Sequence, residues 1–560
     1  MSNANTKVGF FREQVWDFAP HERSPLPGSP ANPEHPTNRR VIYGMIGVLI
    51  GVTAGLGTAL IAVNLPYLQG SLGLYQNEIA WLPAVYVMTN VPAGIMLIKY
   101  RQQFGLRSFC LIFQGLYCVI CLAHVFAGGF AAAIAVRAAS GIAGSALTTL
   151  ALNYMIQAFP AKWRLKSIAV GIAVPQLAIP IARLFSSDLL AFDQWRTLYL
   201  FEFGLAAISF SAIAIVRLPP AVHEEAFEWM DLPTVALFTA ALTLLCAVLA
   251  QGRWVWWFDS PWIGWALAAS IPLFGVVFVI EFHRSNPIID MRWLGTLNFL
   301  RFFLIGTIAR IVLSEQTYGS VGLLNALGTS NEQLYIFSAL TVIAAAAGVV
   351  VSALLISPGH ITQPVALAIG IVAVAAYFDS YSSSLTRAPQ LYFTQILIAF
   401  STTLYIGPAI LIGFTEVLIA GGKHLTSFIV LFSTTQSLGG LIGTALLSTV
   451  QAQREKLHSF DITQHLTSTD PQVARAIENG ATIAIHPILD PALRAAHGLE
   501  ALSQRVTIEA NVLAYNDVFE LVSVLSAFTA CLLLFLIAKR WWKTHRTATA
   551  AIAAAAEHRA

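Results

Sequence analysis

Ionisable side chains inside long apolar segments are the residues of this sequence that could do chemistry. Three arginines and three acids lie in such segments: Arg137, Arg183, Arg310, Glu202, Glu315 and Asp379. A charge at membrane depth is costly, so a residue of this kind usually serves an ion or substrate pathway. Desolvation favours the protonated form of a carboxyl group, and a nearby arginine favours the ionised form. A carboxyl group that alternates between these two environments can link proton movement to transport.

Glu315 is the best candidate for a proton carrier among these residues. It lies near the middle of its apolar segment, and Gln316, Thr317 and Tyr318 follow it as a cavity lining would. Arg310 is five residues earlier, on a different side of the same helix, so the two do not naturally pair. The sequence therefore predicts that Arg310 meets an acid on another helix. The alternative is that the buried charges form structural ion pairs that hold helices together.

Polar and small residues within the apolar segments predict where a substrate cavity and helix contacts lie. In-segment polar residues are expected to line an amphipathic cavity, although polar packing explains any one of them equally well: Tyr86, Asn90, Asn153, Gln176, Gln316, Tyr318, Gln395 and Gln436. Glycines at Gly141, Gly439 and Gly443 allow helices to approach closely. Pro175 and Pro180 are expected to bend the helix that contains them.

Several kinds of site are missing from the sequence. It contains no phosphate-binding loop, dinucleotide fingerprint, metal-spaced histidine cluster or nucleophile elbow. All five cysteines lie in apolar runs, and the Cys118–Cys121 CxxC has no second ligand pair nearby. The sequence therefore predicts no enzymatic activity, no cofactor, no metal and no nucleic-acid partner. The expected energy source is a proton gradient.

The elements that carry these residues are expected to be membrane-spanning helices. Of the 560 residues, 56% are hydrophobic and 11% are charged, against about 25% charged residues in a soluble domain. The sequence thus predicts an all-α polytopic membrane protein in a lipid bilayer. Segments of about 20 mostly apolar residues predict fourteen spans, near 41–65, 79–98, 107–127, 130–157, 167–189, 197–216, 232–251, 263–281, 299–325, 333–356, 364–383, 391–418, 426–450 and 517–538.

The distribution of Lys and Arg predicts the direction of these spans. Basic residues concentrate in the connections on one side, as at Lys99, Lys162 and Lys166. The short loops on the other side hold only Arg196, Arg253 and Arg387. The positive-inside rule then places both termini in the cytoplasm, with tails at 1–40 and 541–560. The expected location is a bacterial inner membrane.

A polar segment at 451–516 interrupts the apolar pattern just before the last span, which is expected at 517–540. This orientation places it on the outer, periplasmic side. Asp470-Pro471 and Asp490-Pro491 are typical helix starts, and Gly480 is a natural helix terminator. The segment is therefore predicted to form two or three amphipathic helices that project from the membrane. The alternative is that they only cover the outer mouth of the protein.

Several local patterns resemble a known family. Arg137 is followed four residues later by Gly141, Pro180 lies in the fifth span, QSLGGLIGTA runs from 436 to 445, and AYNDVF runs from 514 to 519. In these patterns and in its span count the chain resembles the major facilitator superfamily, in its fourteen-span drug:proton antiporter branch, EmrB type. The chain departs from that branch at four positions. Gly57 stands where the branch has a span-1 Asp, and Gln102 stands where the loop between spans 2 and 3 has an Asp. Ile179 replaces the Gly of the span-5 Gly-Pro pair, and Arg183 replaces another Gly.

This resemblance implies a fold and an activity. The expected fold is the major facilitator fold with two six-helix bundles, the first at 41–218 and the second made of 299–450 and the last span. Two extra spans lie in a linker at 219–298. The resemblance implies export of hydrophobic or amphipathic toxic compounds in exchange for protons, with a periplasmic adaptor and an outer-membrane channel as partners. Without a span-1 acid, Glu315 and Asp379 become the more interesting carriers.

Two other functions stay open at the level of sequence. An uptake permease for an organic anion would use Arg137, Arg183 and Arg310 as carboxylate clamps. A non-transporting membrane receptor or scaffold would keep the fold, although it has no need for costly buried charge.

Overall fold

A computed structural model of the chain describes residues 18, 19, 22, 24, 28–357, 359–420, 424–467, 469–483 and 490–557. Residues 1–17 of the predicted cytoplasmic tail lie outside this description, as do residues 468 and 484–489 of the polar segment. Within the described ranges the secondary structure is helical, with one isolated bridge between Pro30 and Ala221. Fourteen helices there are long and apolar enough to cross a membrane, which confirms the predicted count.

The fourteen spans are numbered in chain order; the first twelve have bounds close to those predicted, whereas span 13 extends to Gln464 and span 14 begins at Pro491. They are Thr37–Val63, Gln76–Phe104, Leu106–Val125, Phe130–Ala158, Ala161–Phe185, Trp195–Ile215, Asp231–Gln251, Pro261–His283, Leu297–Ala326, Glu332–Leu355, Thr362–Asp379, Ala388–Ile419, Leu425–Gln464 and Pro491–Trp542. Shorter helices lie at Leu65–Leu72, Met291–Leu294 and Pro471–Ile483. Spans 1–6 pack mainly on one another, as do spans 9–14, and we call these groups the first and second bundles.

The interruptions of spans 5 and 9 affect the arrangement of the charged residues. Span 5 changes from the α-helix Arg164–Ala173 to a 3-10 turn at Val174–Leu177, which contains Pro175, before α-helical geometry resumes at Ala178. Span 9 consists of two helices, Leu297–Val312 and Glu315–Ala326. The prediction of one continuous helix through Glu315 is therefore wrong. Glu315 begins a new helix, because Leu313 and Ser314 form a tighter turn in which Ser314 N bonds to Ile311 O at 3.1 Å.

Glycines set the closest helix crossings in the first bundle. Gly141 in span 4 faces span 2, where an added Cβ would overlap Thr89 Oγ1 and lie 2.5 Å from the carbonyl oxygen of Tyr86. The crossing is also hydrogen bonded, since Thr89 donates to Ala138 O at 2.8 Å and Asn90 donates to Gly141 O at 3.0 Å. Because Gly141 has no Cβ, the two helices come close enough for the side chains of Thr89 and Asn90 to reach these backbone acceptors.

The two extra spans are attached to the first bundle by an ionic cluster at the end that the sequence predicts to be cytoplasmic. Lys99 in span 2 contacts Asp231 at 2.5 Å, and Arg284 contacts Asp231 at 2.8 Å, Glu281 at 2.9 Å and Glu228 at 2.7 Å. The hydrogen bond from the Arg284 guanidinium holds the pKa of Glu228, which lies before span 7, below its usual value. Two cations thus share three carboxylates at this end of the helices.

The polar segment at 451–516 is built mainly by continuing two spans beyond the membrane. Span 13 runs for 40 residues, about 60 Å of helix, and the helix that contains span 14 begins at Pro491. Both Asp-Pro starts are confirmed, because Asp470 Oδ1 accepts from Gln472 N at 2.7 Å and Asp490 Oδ1 accepts from Ala492 N at 2.9 Å. Gly480 does not end its helix, which reaches Ile483. It lies instead at a close crossing with Gly498.

The Gly141 crossing can be tested by adding one methyl group. We expect Gly141→Ala to lower the free energy of unfolding by about 1–3 kcal/mol, because backbone atoms of span 2 leave no room for a Cβ. Gly370→Ala in span 11 is the control, since nothing lies within 4 Å of an added Cβ there. Thermal unfolding of the purified protein in detergent would measure both. Equal melting temperatures for the two variants would contradict the crossing.

Candidate functional site

Two buried acids of the second bundle are joined by one amide. Gln395 in span 12 donates from Nε2 to Glu315 Oε1 at 3.2 Å and to Asp379 Oδ2 at 2.9 Å. Glu315 and Gln395 have no exposed surface, and Asp379 is 2% exposed. The sequence singled out all three residues but placed Gln395 in a cavity wall, whereas the structure encloses it between the carboxyl groups. Its own Oε1 is buried and accepts no hydrogen bond among the described residues.

The local fold explains why these acids meet. Glu315 occupies the first turn of the helix Glu315–Ala326, where the backbone N–H groups of a helix start favour a negative side chain. Asp379 is the last residue of the helix Thr362–Asp379. Two helix ends from spans 9 and 11 therefore converge on the side of span 12 that carries Gln395. Only the break in span 9 gives Glu315 a helix start at this depth.

Arg310 lies on the other side of the same break, and its partner differs from the prediction. Its Nε donates to the backbone carbonyl of Gln436 at 3.3 Å, and it forms no ion pair with any described residue. The predicted acid on another helix is therefore wrong. Gly439 is the physical reason, since a Cβ there would lie 2.8 Å from Arg310 Cβ. The arginine stem rests directly on the backbone of span 13.

Arg137 in span 4 is also held by backbone oxygens. It is 2% exposed and donates from Nη1 to Gly57 O at 2.9 Å and from Nε to Leu82 O at 3.5 Å. Its guanidinium lies 4.8 Å from the centre of the Tyr86 ring, within cation–π range. Tyr86 thus supports Arg137, and it also accepts a long hydrogen bond of 3.4 Å from Asn90. Gly57 is the position where the resemblance implies an acid.

Glu202 in span 6 lies on the opposite side of Gly57. Its Oε1 accepts hydrogen bonds from Tyr117 Oη at 2.6 Å and from Cys121 Sγ at 3.4 Å. Tyr117 and Cys121 were missed as functional residues by the sequence reasoning. Their spacing of four, which places them on one face of span 3, was the only signal that could have found them. A side chain at Gly57 would meet both Tyr117 and Glu202.

The six charges at membrane depth, five of them buried and Arg310 half-buried, share one property that sequence reasoning did not anticipate. None of them forms a salt bridge with any residue in the described part of the chain. Arg183 in span 5 is 7% exposed and donates no hydrogen bond to a described residue either. The ion pairs that are present lie toward the ends of the helices or outside the apolar segments. The structure therefore gives no support to the view that these six charges lock helices together in pairs.

The remaining predicted site residues have varied surroundings. Tyr318 Oη donates to Gln451 at 3.3 Å, Asn153 is 3% exposed, and the Nε2 atoms of Gln316 and Gln436 are buried without an acceptor among the described residues. A Cβ at Gly443 would lie 3.0 Å from Ile311 Cα, so spans 9 and 13 touch there. Gln176 and Pro175 are half-buried in the 3-10 turn of span 5, and Pro180 is buried just after it.

A hydrogen-bonded network connects spans 13 and 14 where both helices pass into the polar segment. Asp517, in the AYNDVF pattern, accepts from Arg454 at 2.5 Å and from His458 at 2.7 Å. Gln451 donates to Asn511 at 2.7 Å and accepts from Arg253, in the loop between spans 7 and 8, at 3.2 Å. The polar segment is thereby fixed to the second bundle rather than tethered loosely.

Comparison with known proteins agrees with this architecture. The family model described as Major Facilitator Superfamily matches residues 47–444. YhcA, an MFS-type transporter of Bacillus subtilis, is 21% identical over 88% of this chain and 91% of its own length. Multidrug export protein EmrB of Haemophilus influenzae is 21% identical over 83% of this chain and 89% of its own.

A solved structure from the proton dependent oligopeptide transporters superposes with a TM-score of 0.56 at 11% identity, covering 89% of this chain and 98% of that one. At such low identity the likeness concerns the fold alone. It confirms the predicted all-α arrangement of the major facilitator fold, here with fourteen spans.

The bridging amide of Gln395 yields a pH-dependent prediction. Replacing it by Leu removes donors from two buried carboxyl groups, and a hydrogen bond to a charged group contributes about 1.5–3 kcal/mol. Since the amide stabilises the ionised forms, we expect Gln395→Leu to lower the melting temperature more at pH 8 than at pH 5. Gln114→Leu is the control, because the buried Gln114 donates to the carbonyl of Ala206 at 3.2 Å. Equal losses at both pH values for Gln395→Leu would contradict the bridge.

Proposed function

This chain belongs to the Major Facilitator Superfamily, and on that premise we propose that it exports hydrophobic or amphipathic toxic compounds in exchange for protons. Members of this superfamily are secondary transporters rather than enzymes, and the chain is a multi-pass membrane protein with fourteen apolar spans. The multidrug export relatives favour drugs over nutrients as substrates. The proposed energy source is the proton gradient, without a cofactor.

The observation that carries proton coupling is the Glu315–Gln395–Asp379 arrangement. Two carboxyl groups are enclosed at the meeting point of three spans and receive hydrogen bonds from the amide of Gln395. No cation among the described residues neutralises either acid. Two carboxylates without a counter-ion are costly to hold in an apolar interior, and a bound proton removes part of that cost. Protonation and deprotonation of this pair are therefore the proposed driving step.

The position of Arg310 supports a link between this pair and substrate. Arg310 and Glu315 lie on the two helix segments of span 9 that the break separates. A movement of one segment against the other would therefore change the position of Arg310 relative to Glu315. Arg310 also contacts Gln436 of span 13, and the polar Gln316 and Tyr318 follow Glu315 directly. Substrate binding is proposed between the two bundles near this break, and alternating access is proposed to occur by rocking of the bundles.

The proposed orientation places both termini in the cytoplasm and the polar segment 451–516 in the periplasm, with the protein in the inner membrane. The distribution of Lys and Arg supports this direction. The helical construction of the segment favours a docking surface for a periplasmic adaptor, which would pass substrate to an outer-membrane channel. The contacts of Asp517 with Arg454 and His458 would hold this surface in a fixed position relative to span 14.

A second candidate function is supported by the arginines. Arg183 and Arg310 have no acidic partner among the described residues, which suits the binding of a carboxylate from a substrate. An uptake permease for an organic anion would use them in this way. The direction of transport separates the two functions, because an exporter lowers the amount of probe in cells and a permease raises it.

Neutralising the acid pair tests proton coupling. We expect Glu315→Gln and Asp379→Asn each to reduce ethidium transport driven by an imposed pH step in proteoliposomes by at least about tenfold, since tenfold corresponds to only 1.4 kcal/mol. Ethidium exchange without a pH step should persist, because the fold and the substrate path remain. The measurement is ethidium fluorescence in vesicles of defined orientation.

Glu281→Gln is the matched control for both variants. Glu281 is also a buried acid in an apolar span, but it is paired with Arg284 at 2.9 Å. Its replacement should leave the response to the pH step nearly unchanged. Full pH-driven transport by the Glu315→Gln, Asp379→Asn double variant would exclude this pair as the coupling site.

Removing the polar segment tests the partner proposal separately. Because Gln451 donates directly to Asn511, the two helices are adjacent there, and a short Gly-Ser linker can replace residues 455–510. We expect this deletion to retain ethidium transport in vesicles and to abolish ethidium resistance in cells, since only the handover to an adaptor is lost. Loss of transport in vesicles as well would favour the alternative in which the segment covers the outer mouth.

A further inference from the structure

The first bundle contains an acid, Glu202, that the proposed coupling pair does not use. It is 1% exposed, and its two oxygens have different surroundings. Oε1 accepts from Tyr117 at 2.6 Å and from Cys121 at 3.4 Å, whereas Oε2 is buried and has no hydrogen-bond partner among the described residues. An ionised carboxylate leaves that second oxygen unsatisfied, and a protonated carboxyl group places its proton there. The geometry of Glu202 is thus compatible with both states.

The groups around Glu202 provide no permanent counter-charge in contact with it. From span 3 it faces Tyr117 and Cys121. His124, one turn further, stacks on Tyr199 at 4.5 Å; its Nδ1 bonds to Ile120 O at 3.1 Å and its Nε2 has no described partner. The nearest cation, Arg137 in span 4, forms no salt bridge with Glu202 and is occupied by backbone carbonyls. The other ionisable groups nearby are Tyr86 in span 2 and Tyr199 in span 6 itself.

We propose that Glu202 binds and releases a proton of its own during transport, so that the first bundle carries a second proton site. The bond formed is O–H at Oε2, and the proton is exchanged with water when the site opens, with no change of oxidation state. This inference rests on the proposed function, because it adds a second carrier to the proton-driven export described above. It does not depend on the Glu315–Gln395–Asp379 arrangement, which lies entirely in the other bundle.

Gly57 connects this site to Arg137. The carbonyl oxygen of Gly57 accepts a hydrogen bond from Arg137 at 2.9 Å. The Cα of Gly57 faces Tyr117 and Glu202, and an added Cβ there would lie 3.0 Å from Glu202 Oε1. A change in the charge of Glu202 therefore acts on span 1 at the residue that holds Arg137. Tyr117 is a positioning residue here, since it fixes the Oε1 side of the carboxyl group and leaves Oε2 for the proton.

Infrared difference spectroscopy tests the proton site directly. The sample is the purified full-length chain in lipid, titrated between pH 5 and pH 9, and the signal is the carbonyl stretch of protonated carboxyl groups. We expect one component of this band to disappear on titration in the wild type and to be missing in Glu202→Gln. The same component should remain in the Glu315→Gln, Asp379→Asn double variant and in the Glu281→Gln control. A difference spectrum that Glu202→Gln leaves unchanged would overturn the proposal.

Tyr117→Phe provides an independent readout of the same group. Since the phenol stabilises the ionised carboxylate by a hydrogen bond, its removal should shift the midpoint of the Glu202 band to higher pH. Tyr154→Phe is the control, because the buried Tyr154 donates to the carbonyl of Val216 at 2.7 Å and does not contact Glu202. A midpoint that moves equally in both variants would indicate a general structural effect and would contradict the assignment.

A transport measurement separates this inference from the proposed function. In proteoliposomes with an imposed pH step, Glu202→Gln should halve the ratio of proton flux to ethidium flux, while Glu281→Gln should leave the ratio unchanged. If the infrared band of Glu202 titrates but Glu202→Gln leaves the ratio of proton flux to ethidium flux unchanged, Glu202 has no role in coupling and that part of the proposal is overturned. Absence of any pH-driven ethidium transport in the wild type would instead contradict the proposed function, and the infrared titration would still decide whether Glu202 exchanges a proton.

Discussion

The fold depends on one constraint, which is that six charges at membrane depth form no ion pair with any described residue. A buried charge is expensive unless other polar groups satisfy it. Here neutral dipoles do so for five of them: the amide of Gln395 for the acid pair, the phenol of Tyr117 for Glu202, and backbone carbonyls for Arg137 and Arg310. Because such partners carry no net charge, a change of protonation is not opposed by the loss of a salt bridge.

Meeting this constraint requires local departures from regular helix packing. The break at Leu313 and Ser314 creates the helix start that Glu315 occupies. Gly439 lets the stem of Arg310 rest on span 13, and Gly57 leaves room between Arg137 and Glu202. At the membrane edge, by contrast, Lys99, Asp231 and Arg284 form ordinary ion pairs. The chain therefore neutralises charge where structure alone is needed and leaves it uncompensated at depth.

The sequence predicts those parts of this arrangement that depend on local patterns. Apolar segment length gives the fourteen spans, and Asp470-Pro471 and Asp490-Pro491 give two helix starts, because each signal is complete within a few neighbouring residues. The acceptor of Arg310 and the contact between Tyr117 and Glu202 join residues that are 126 and 85 positions apart. No periodicity encodes such contacts. The break in span 9 was also missed, since neither Leu313 nor Ser314 is a proline or glycine that would mark it.

The division of the acids between the bundles limits how protonation can drive movement. Glu202 has its contacts in spans 1, 3 and 6, and the Glu315–Asp379 pair has its contacts in spans 9, 11 and 12. Neither site bridges the two bundles, so a proton cannot act by breaking or forming a link between them. Under the proposed function, the proton acts within a bundle, on the side of the neighbouring arginine. Gly57 lies between Glu202 and Arg137, and the break in span 9 lies between Glu315 and Arg310, so each bundle places a backbone element between an acid and an arginine.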